Sequence, residues 1–588
     1  MIHRSAVLHI PLSNYAYPED EHTLTIRLRC QKGDLTSCIL YYGDRASMNS
    51  PVDFTSVFMK AAGHDGLFDY YEAVLENCYS RVCYYFRLEQ SDSWIYYYGD
   101  DFHKALPDVV QDGVVIEARS EYYQYPYILR TEIPEMPEWF LHAVVYNIFP
   151  DSFASDYRAI NIEDREEKLS DGKIIQSCRG GNIRGIHENL DYIQSLGFNC
   201  IYLNPIFTAG EYHKYDIMDY YKIDPGMGTE AEFQALVDEV HRRDMHIIID
   251  GVFNHCSWYF FAFEDVVNNG QESQYCEWFY HLEFPVERPQ KGEIPGYACF
   301  AYEPKMPKLN TANEQVQNYF ARVGAYWISK YQVDGWRLDV ANEVDRNFWR
   351  KFRSAVKEVD SQAVLIGEVW ENSETWLKGD AFDSTMNYDF RKHCRSFFGN
   401  KEINAEEFEN RMTSMRYRYP RKITLGQLNL LDTHDVPRFL SLCKEDKERW
   451  KQAFLYLMMA PGVPSVFYGD EQGLTGIREP EYRQAMPWES RDKELEAFVR
   501  QAISIRKQWV DPEDGYERLE LDEYPNVVFF ARKNEKYDIF CCLNAGEVDC
   551  RLGELSKGEM LMGEDVEGNA IRPGGFCIVK RQNEADRK

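Results

Sequence analysis

Arg337 and Asp339 stand two residues apart in the segment Gly335-Trp336-Arg337-Leu338-Asp339-Val340-Ala341-Asn342-Glu343. Residues two apart on a strand share a face, so the guanidinium and the carboxylate point to one place, where the cation favours the ionised acid. An ionised, positioned carboxylate is a nucleophile toward a sugar carbon. Such a pair also serves as a buried staple at a strand end, so its company decides. That company is Asp250-Gly251-Val252-Phe253-Asn254-His255, Glu368-Val369-Trp370 and Asp432-Thr433-His434-Asp435, each following an apolar run. Asp339, Glu368 and Asp435, with His255 and His434, would also serve as metal ligands, but a His-Glu-x-x-His motif or closely spaced His pair is absent. A Gly-x-Ser-x-Gly elbow is absent too. Paired carboxylates suit glycoside hydrolysis, in which one attacks and the other protonates the leaving oxygen.

These motifs need a frame that brings several strand ends together. From about residue 140, short apolar runs at 144–149, 200–203, 247–251, 335–339, 364–367, 384–387, 427–431 and 465–468 alternate with amphipathic stretches such as 230–243, 315–330, 346–359 and 447–459. Eight strand-helix units predict a (β/α)8 barrel, an α/β fold whose catalytic groups lie at the C-terminal strand ends. Residues 252–313 interrupt it without strong periodicity and read as an inserted subdomain over the barrel mouth. Period-two alternation with turn signals predicts a β-sandwich over 1–125 and an antiparallel β-domain over 511–588, with the barrel spanning 126–510. The charged residues after Lys580 are expected to fray.

A chain of 588 residues has room for two to four domains. Its 66 basic and 96 acidic residues, a net charge of -30, argue against nucleic acid or an anionic membrane as partner. Fifteen scattered cysteines without a Cys-x-x-Cys spacing read as reduced thiols and a cytoplasmic location. The N-terminus lacks the apolar run of a signal peptide, and the run at 454–460 is too short to span a bilayer. Aromatic residues reach 15%, and the tyrosines of the first 125 residues look exposed; they suit core packing, sugar stacking or an interface alike.

The four motif segments, in this order and on these strands, resemble the conserved regions of the α-amylase family. Met306-Pro307-Lys308-Leu309-Asn310 resembles the marker of its cyclomaltodextrinase, neopullulanase and maltogenic amylase subgroup. The similarity extends to residues 180–190, to His213-Lys214-Tyr215-Asp216 and to 462–471, and it covers most of 140–510. It implies a starch-binding-like sandwich before the barrel and retaining hydrolysis of α-1,4, and some α-1,6, bonds in cyclodextrins, maltooligosaccharides or pullulan. A transglycosylase or isomerase on the same glucans, or an inactive sugar-binding scaffold, is the alternative; the scaffold proteins lack the carboxylates kept here.

By that resemblance Asp339 is the nucleophile, Glu368 the acid and base, and Asp435 the third carboxylate, while Arg337 keeps Asp339 charged. His255 and His434 bond hydroxyls of the cleaved sugar, Tyr215 stacks beneath it, and Trp370, Asn342 and Glu343 lie on the leaving-group side. Glu479 and Arg483 face the non-reducing sugar, with Glu479 where the subgroup carries an aspartate. Ala154-Ser155-Asp156-Tyr157-Arg158 replaces a calcium loop of relatives, so neither calcium nor another cofactor is expected. The subgroup commonly forms homodimers, which is the expectation here.

Overall fold

The computed structural model describes residues 2–47, 52–106, 121–155, 166–168, 174–176, 180–290, 293–521 and 523–583. The chain forms two compact units: Met1–Glu135 with Ile403–Thr424 and Glu517–Val528, and Met136–Glu402 with Leu425–Tyr516 and Phe529–Lys588. Asp156, Tyr157 and Arg158, and the chain beyond residue 583, lie outside the described residues.

The first unit is a sandwich of two antiparallel sheets. One runs Ala16–Pro18, Leu24–Gln31, Phe68–Leu75, Lys60–His64; the other is built on Ser37–Asp44, Val82–Gln90 and Ser93–Tyr98. Alternate residues Leu24, Ile26 and Leu28 from one sheet and Tyr84, Phe86 and Leu88 from the other fill a shared core. Tyrosines expected at the surface go mostly into that core: Tyr84, Tyr85, Tyr97, Tyr98, Tyr122 and Tyr123 are all buried. Their rings meet edge-on or stacked, as with Tyr85 and Tyr122 at 5.2 Å, so their abundance reflects packing. The three-way division read from sequence texture does not anticipate that Ile403–Thr424 belongs to this unit. There the Tyr417 ring stacks on Tyr70 at 4.4 Å, and buried Arg27 donates to the Tyr417 carbonyl at 3.0 Å.

The second unit holds a closed parallel barrel of eight strands: β1 (Val145–Ile148), β2 (Cys200–Leu203), β3 (His246–Val252), β4 (Gly335–Asp339), β5 (Val364–Gly367), β6 (Ser384–Asn387), β7 (Leu428–Leu430) and β8 (Val463–Phe467), with β8 pairing back to β1. Every strand residue except His246 is buried, as parallel strands covered on both faces must be. The helices between them start at side-chain caps. Thr229 and Glu232 form a reciprocal capping box for Glu230–Arg242, and Asn313, Asp345 and Asp446 cap Glu314–Tyr331, Arg346–Val359 and Lys447–Met459. The sheet of Tyr537–Asn544, Ala570–Gln582, Glu559–Glu567 and Cys550–Arg551 is antiparallel. Among the described residues no helix is long and apolar enough to cross a membrane.

Two expectations shift in detail. β8 begins at Val463 and runs through Pro464, a residue that halts a strand assignment made from propensity; register with Gln427 is kept by the Val463 N–H, which donates to the Gln427 carbonyl at 2.9 Å. Among its described residues the inserted segment contains one α-helix, Phe261–Asn269, and three short 3-10 turns; an isolated bridge joins His255, just past β3, to Lys308.

Candidate active site

Alternation on β4 sorts its side chains. Trp336 faces the helical layer, where its indole donates to the Gly324 carbonyl at 3.3 Å, while Arg337 and Asp339 face the barrel interior. In the β3–β4 ladder Asp250 lies beside Arg337. Arg337 is fully buried and serves four carboxylates. Its Nη1 donates to Asp339 Oδ1 at 2.7 Å and to both Asp250 oxygens at 3.0 and 3.2 Å; its Nη2 lies 2.9 Å from Glu368 Oε1 and 4.0 Å from Asp435 Oδ2. Arg337 pulls the Asp339 carboxyl toward its charged form while sharing that pull with its other partners. Burial pushes the Asp339 carboxyl well above the usual carboxylate range; Glu368, Asp250 and Asp435 add to the rise, and the pull of Arg337 does not offset them.

Glu368 follows β5 and is nearly buried. Its Oε2 accepts from the Val340 N–H at 2.9 Å and its Oε1 from the Trp370 indole at 3.1 Å. Val340 holds φ 44 and ψ 43, a left-handed conformation that is costly for a β-branched residue and concentrated at functional sites. It aims the N–H of the residue directly after Asp339 at the Glu368 carboxylate. Trp370 is 46% exposed and stacks on Tyr388 with ring centroids 3.8 Å apart.

The β7 end supplies the opposite wall. His434 Nδ1 lies 3.0 Å from Asn204 Nδ2, and its Nε2 lies 2.5 Å from the Tyr215 hydroxyl and 3.0 Å from Asp435 Oδ2. Asn204 thus faces Nδ1 of the imidazole, and Tyr215 and Asp435 face its Nε2. Tyr215 in turn donates to Asp250 at 3.0 Å. Burial alone raises the Asp435 carboxyl, but His434, Arg483 and Arg337 together hold it below the usual range. Arg483 donates to the His434 carbonyl at 2.8 Å, lies 3.5 Å from Asp435 and pairs with Glu479 at 2.5 Å. Glu479 therefore spends its carboxylate on its own arginine at the rim.

A cavity of about 480 Å³ collects these groups, a size typical of small-ligand sites. Tyr215, His255, Asp339, Asn342, Glu343, Glu368, Trp370, Asp435, Glu479 and Arg483 line it, and Arg337 and His434 stand behind the wall. Burial drops the His255 imidazole to about 3, with Lys308 adding to the fall; it is neutral, and its Nε2 has no hydrogen-bond partner among the described residues. Asn342 reaches Glu371 at 3.3 Å and Glu343 pairs with Lys308, so both rim residues are anchored from behind. The sequence reading missed His213, Phe300, Met306 and Val340 as lining residues. Phe300 lies under His255, ring centroids 4.8 Å apart, and comes from the aperiodic insertion, where pattern carries no signal. Asn204, a polar residue one position past β2, was a readable signal left unused. Among the described residues no group of three or more His, Cys, Asp or Glu side chains is arranged around a metal position.

Comparison with known proteins agrees with this geometry. The family described as alpha amylase, catalytic domain, matches residues 147–523, and the alpha amylase N-terminal ig-like domain matches 1–128. A cyclomaltodextrinase of Geobacillus thermopakistaniensis is 36% identical over 98% of this chain and 99% of its own. Neopullulanase 2 of Thermoactinomyces vulgaris is 37% identical over 96% of each. A solved cyclomaltodextrinase superposes with a TM-score of 0.86 at 32% identity, covering 99% of this chain and 98% of that one. Barrel, converging carboxylates and full-length similarity agree: the chain belongs to the α-amylase family of glycoside hydrolases.

Proposed function

We propose that the protein hydrolyses α-1,4, and some α-1,6, glucosidic bonds of cyclodextrins, maltooligosaccharides or pullulan with retention of configuration. Asp339 attacks the anomeric carbon, Glu368 protonates the leaving oxygen and then activates water, and Asp435 bonds the hydroxyls of the distorted ring. The observation that carries this reading is the single guanidinium that donates from Nη1 to one oxygen of Asp339 and lies, through Nη2, at ion-pair distance from one oxygen of Glu368. A shared fork keeps the two acids near each other, which suits the retaining spacing of about 5–5.5 Å more than the wider inverting one. Neutral His255, with an unpartnered ring nitrogen in the cavity wall, fits a hydroxyl partner. Exposed Trp370 fits a stacking surface on the leaving-group side. Two carboxylates suffice for this chemistry, so the reaction as proposed uses no metal or cofactor. The names of the relatives support the substrate class. The free thiols of the described residues support a cytoplasmic setting, and we take the working form to be a homodimer.

The assignment is tested by separating the two acids. Asp339→Asn abolishes all turnover. Glu368→Gln loses about 10²–10⁴ in oligosaccharide cleavage yet still releases fluoride from an α-maltosyl fluoride in the first turnover, because that leaving group needs no proton. Equal and complete loss of the first step in both variants refutes the division of roles. NMR of early products shows α-anomers; an initial β-anomer refutes retention.

A further inference from the structure

The path of the chain after β8 brings Glu479 and Arg483 to the cavity, and a residue from the loop after β7 ties that path at two points. Arg438 is fully buried. Its main-chain N–H donates to the Gly476 carbonyl at 2.9 Å, and its Nε donates to the Tyr482 carbonyl at 2.9 Å. The stretch between those carbonyls carries Glu479, and the residue directly after it is Arg483. Nη1 reaches back to the end of β8, to the Tyr468 carbonyl at 2.7 Å and to Asp470 Oδ1 at 2.9 Å. The guanidinium carbon lies over Phe467, 4.1 Å from the ring centroid, so stacking as well as bonding fixes its orientation. Asp432, just past β7, sets the place of the arginine itself: its Oδ2 accepts from the Phe439 N–H at 2.6 Å.

The planar fork matters more here than the charge. Asp470 is hydrogen-bonded to Asp432; burial pushes the Asp470 carboxyl well above the usual carboxylate range, with Asp432 adding to the rise and Arg438 opposing it. Asp470 thus favours its neutral form. Much of what Arg438 bonds is therefore uncharged, one such carboxyl and two main-chain carbonyls. Acceptors set at the angles of a fork are met poorly by a compact ammonium. What the fork fixes is the main chain at Tyr482, and Arg483 follows from it. Arg483 donates to the His434 carbonyl at 2.8 Å, lies 3.5 Å from Asp435 and pairs with Glu479, while its own carbonyl accepts from Ser152 Oγ at 2.8 Å.

We propose that Arg438 is a positioning residue for Arg483, a buried fork that fastens the chain after β8 to the barrel end and so shapes the part of the cavity that receives the sugar on the non-reducing side. This rests on the reading of Glu479 and Arg483 as contacts to that sugar.

The test uses the full-length protein and two donors that differ by one sugar. α-Maltosyl fluoride carries a glucose on the non-reducing side that α-glucosyl fluoride lacks, so the ratio of their kcat/KM values reads the grip on that glucose and cancels any loss common to both. Arg438→Lys keeps the buried cation without the fork. It lowers the ratio about tenfold, the scale of one hydrogen bond, chiefly by raising KM for the maltosyl donor. Arg438→Met combined with Asp470→Asn removes the cation and its acid together and gives the same fall, should the lysine variant not fold. Arg483→Gln lowers the ratio by itself, and adding Arg438→Lys to it lowers the ratio no further, because one residue acts through the other. A merely structural loss scales both donors alike and leaves the ratio unchanged, which overturns the inference; so does a further fall in the combined variant. If Arg483→Gln lowers the ratio and Arg438→Lys does not, the inference alone fails. If Arg483→Gln leaves the ratio at the wild-type value, the placement of Arg483 against that sugar is refuted and the inference falls with it.

Discussion

One buried guanidinium cannot neutralise four carboxylates, and the consequence falls on Asp339. Arg337 touches Asp250, Asp339 and Glu368 and faces Asp435, so its charge is divided among them. The Asp339 carboxyl in the folded protein lies well above its ordinary value, with burial as the largest cause. In the unfolded chain it titrates near about 3.9. Between that value and the raised one the folded state binds a proton that the unfolded state has lost, so stability falls as pH rises through the window. Below the window both states are protonated and the group is neutral in its effect. Asp339→Asn removes the penalty, so the variant unfolds at a higher temperature than wild type at pH 7, and the difference shrinks to nothing as pH falls toward about 4. Calorimetry across this range checks it. A variant less stable than wild type at pH 7 would mean that the charged carboxylate is favoured by its surroundings after all.

At the scale of elements, the barrel was legible because its strands are short, continuously apolar and followed by capped helices. β2, β4, β5 and β6 occur at the expected residues. Polar residues at strand ends were legible for the same reason: Asp250, Asp339, Glu368 and Asp435 interrupt apolar runs at one end of the barrel. What residue type does not encode is the path of the chain between elements. Phe300 and Met306 reach the cavity from a segment without period, and the left-handed turn at Val340 contradicts the preference of valine for extended backbone. The sharing of Arg337 was equally invisible, since Asp250 is its neighbour through ladder register rather than through sequence. The Val340 conformation has a measurable cost. Val340→Gly relieves backbone strain of about 1–3 kcal/mol and incurs about 0.5–1 kcal/mol of added chain entropy, while the N–H on Glu368 remains. The balance raises stability by about 1 kcal/mol, read as a higher urea midpoint at unchanged slope. A lower midpoint would show that the valine side chain contributes more through packing than its backbone costs.

For the whole molecule, the question is what covers the outer surface of the first unit. Its tyrosines are mostly core residues, but Phe58 at 71% and Leu67 at 70% exposure remain uncovered, and apolar side chains left in water mark association surfaces when they cluster. A symmetric dimer buries one such patch against its own copy without open-ended growth. Deleting the N-terminal sandwich is a poor probe of this, because Tyr417 would lose Tyr70 and its carbonyl would lose Arg27, and the chain would be damaged as well as separated. Point substitution avoids that damage. Light scattering gives a dimer mass for the wild type, and Phe58→Asp with Leu67→Asp shifts it toward the monomer mass of 69.2 kDa without lowering the thermal midpoint. If the wild type is a monomer at micromolar concentration, or if the double variant keeps the dimer mass, the first unit is not the association surface.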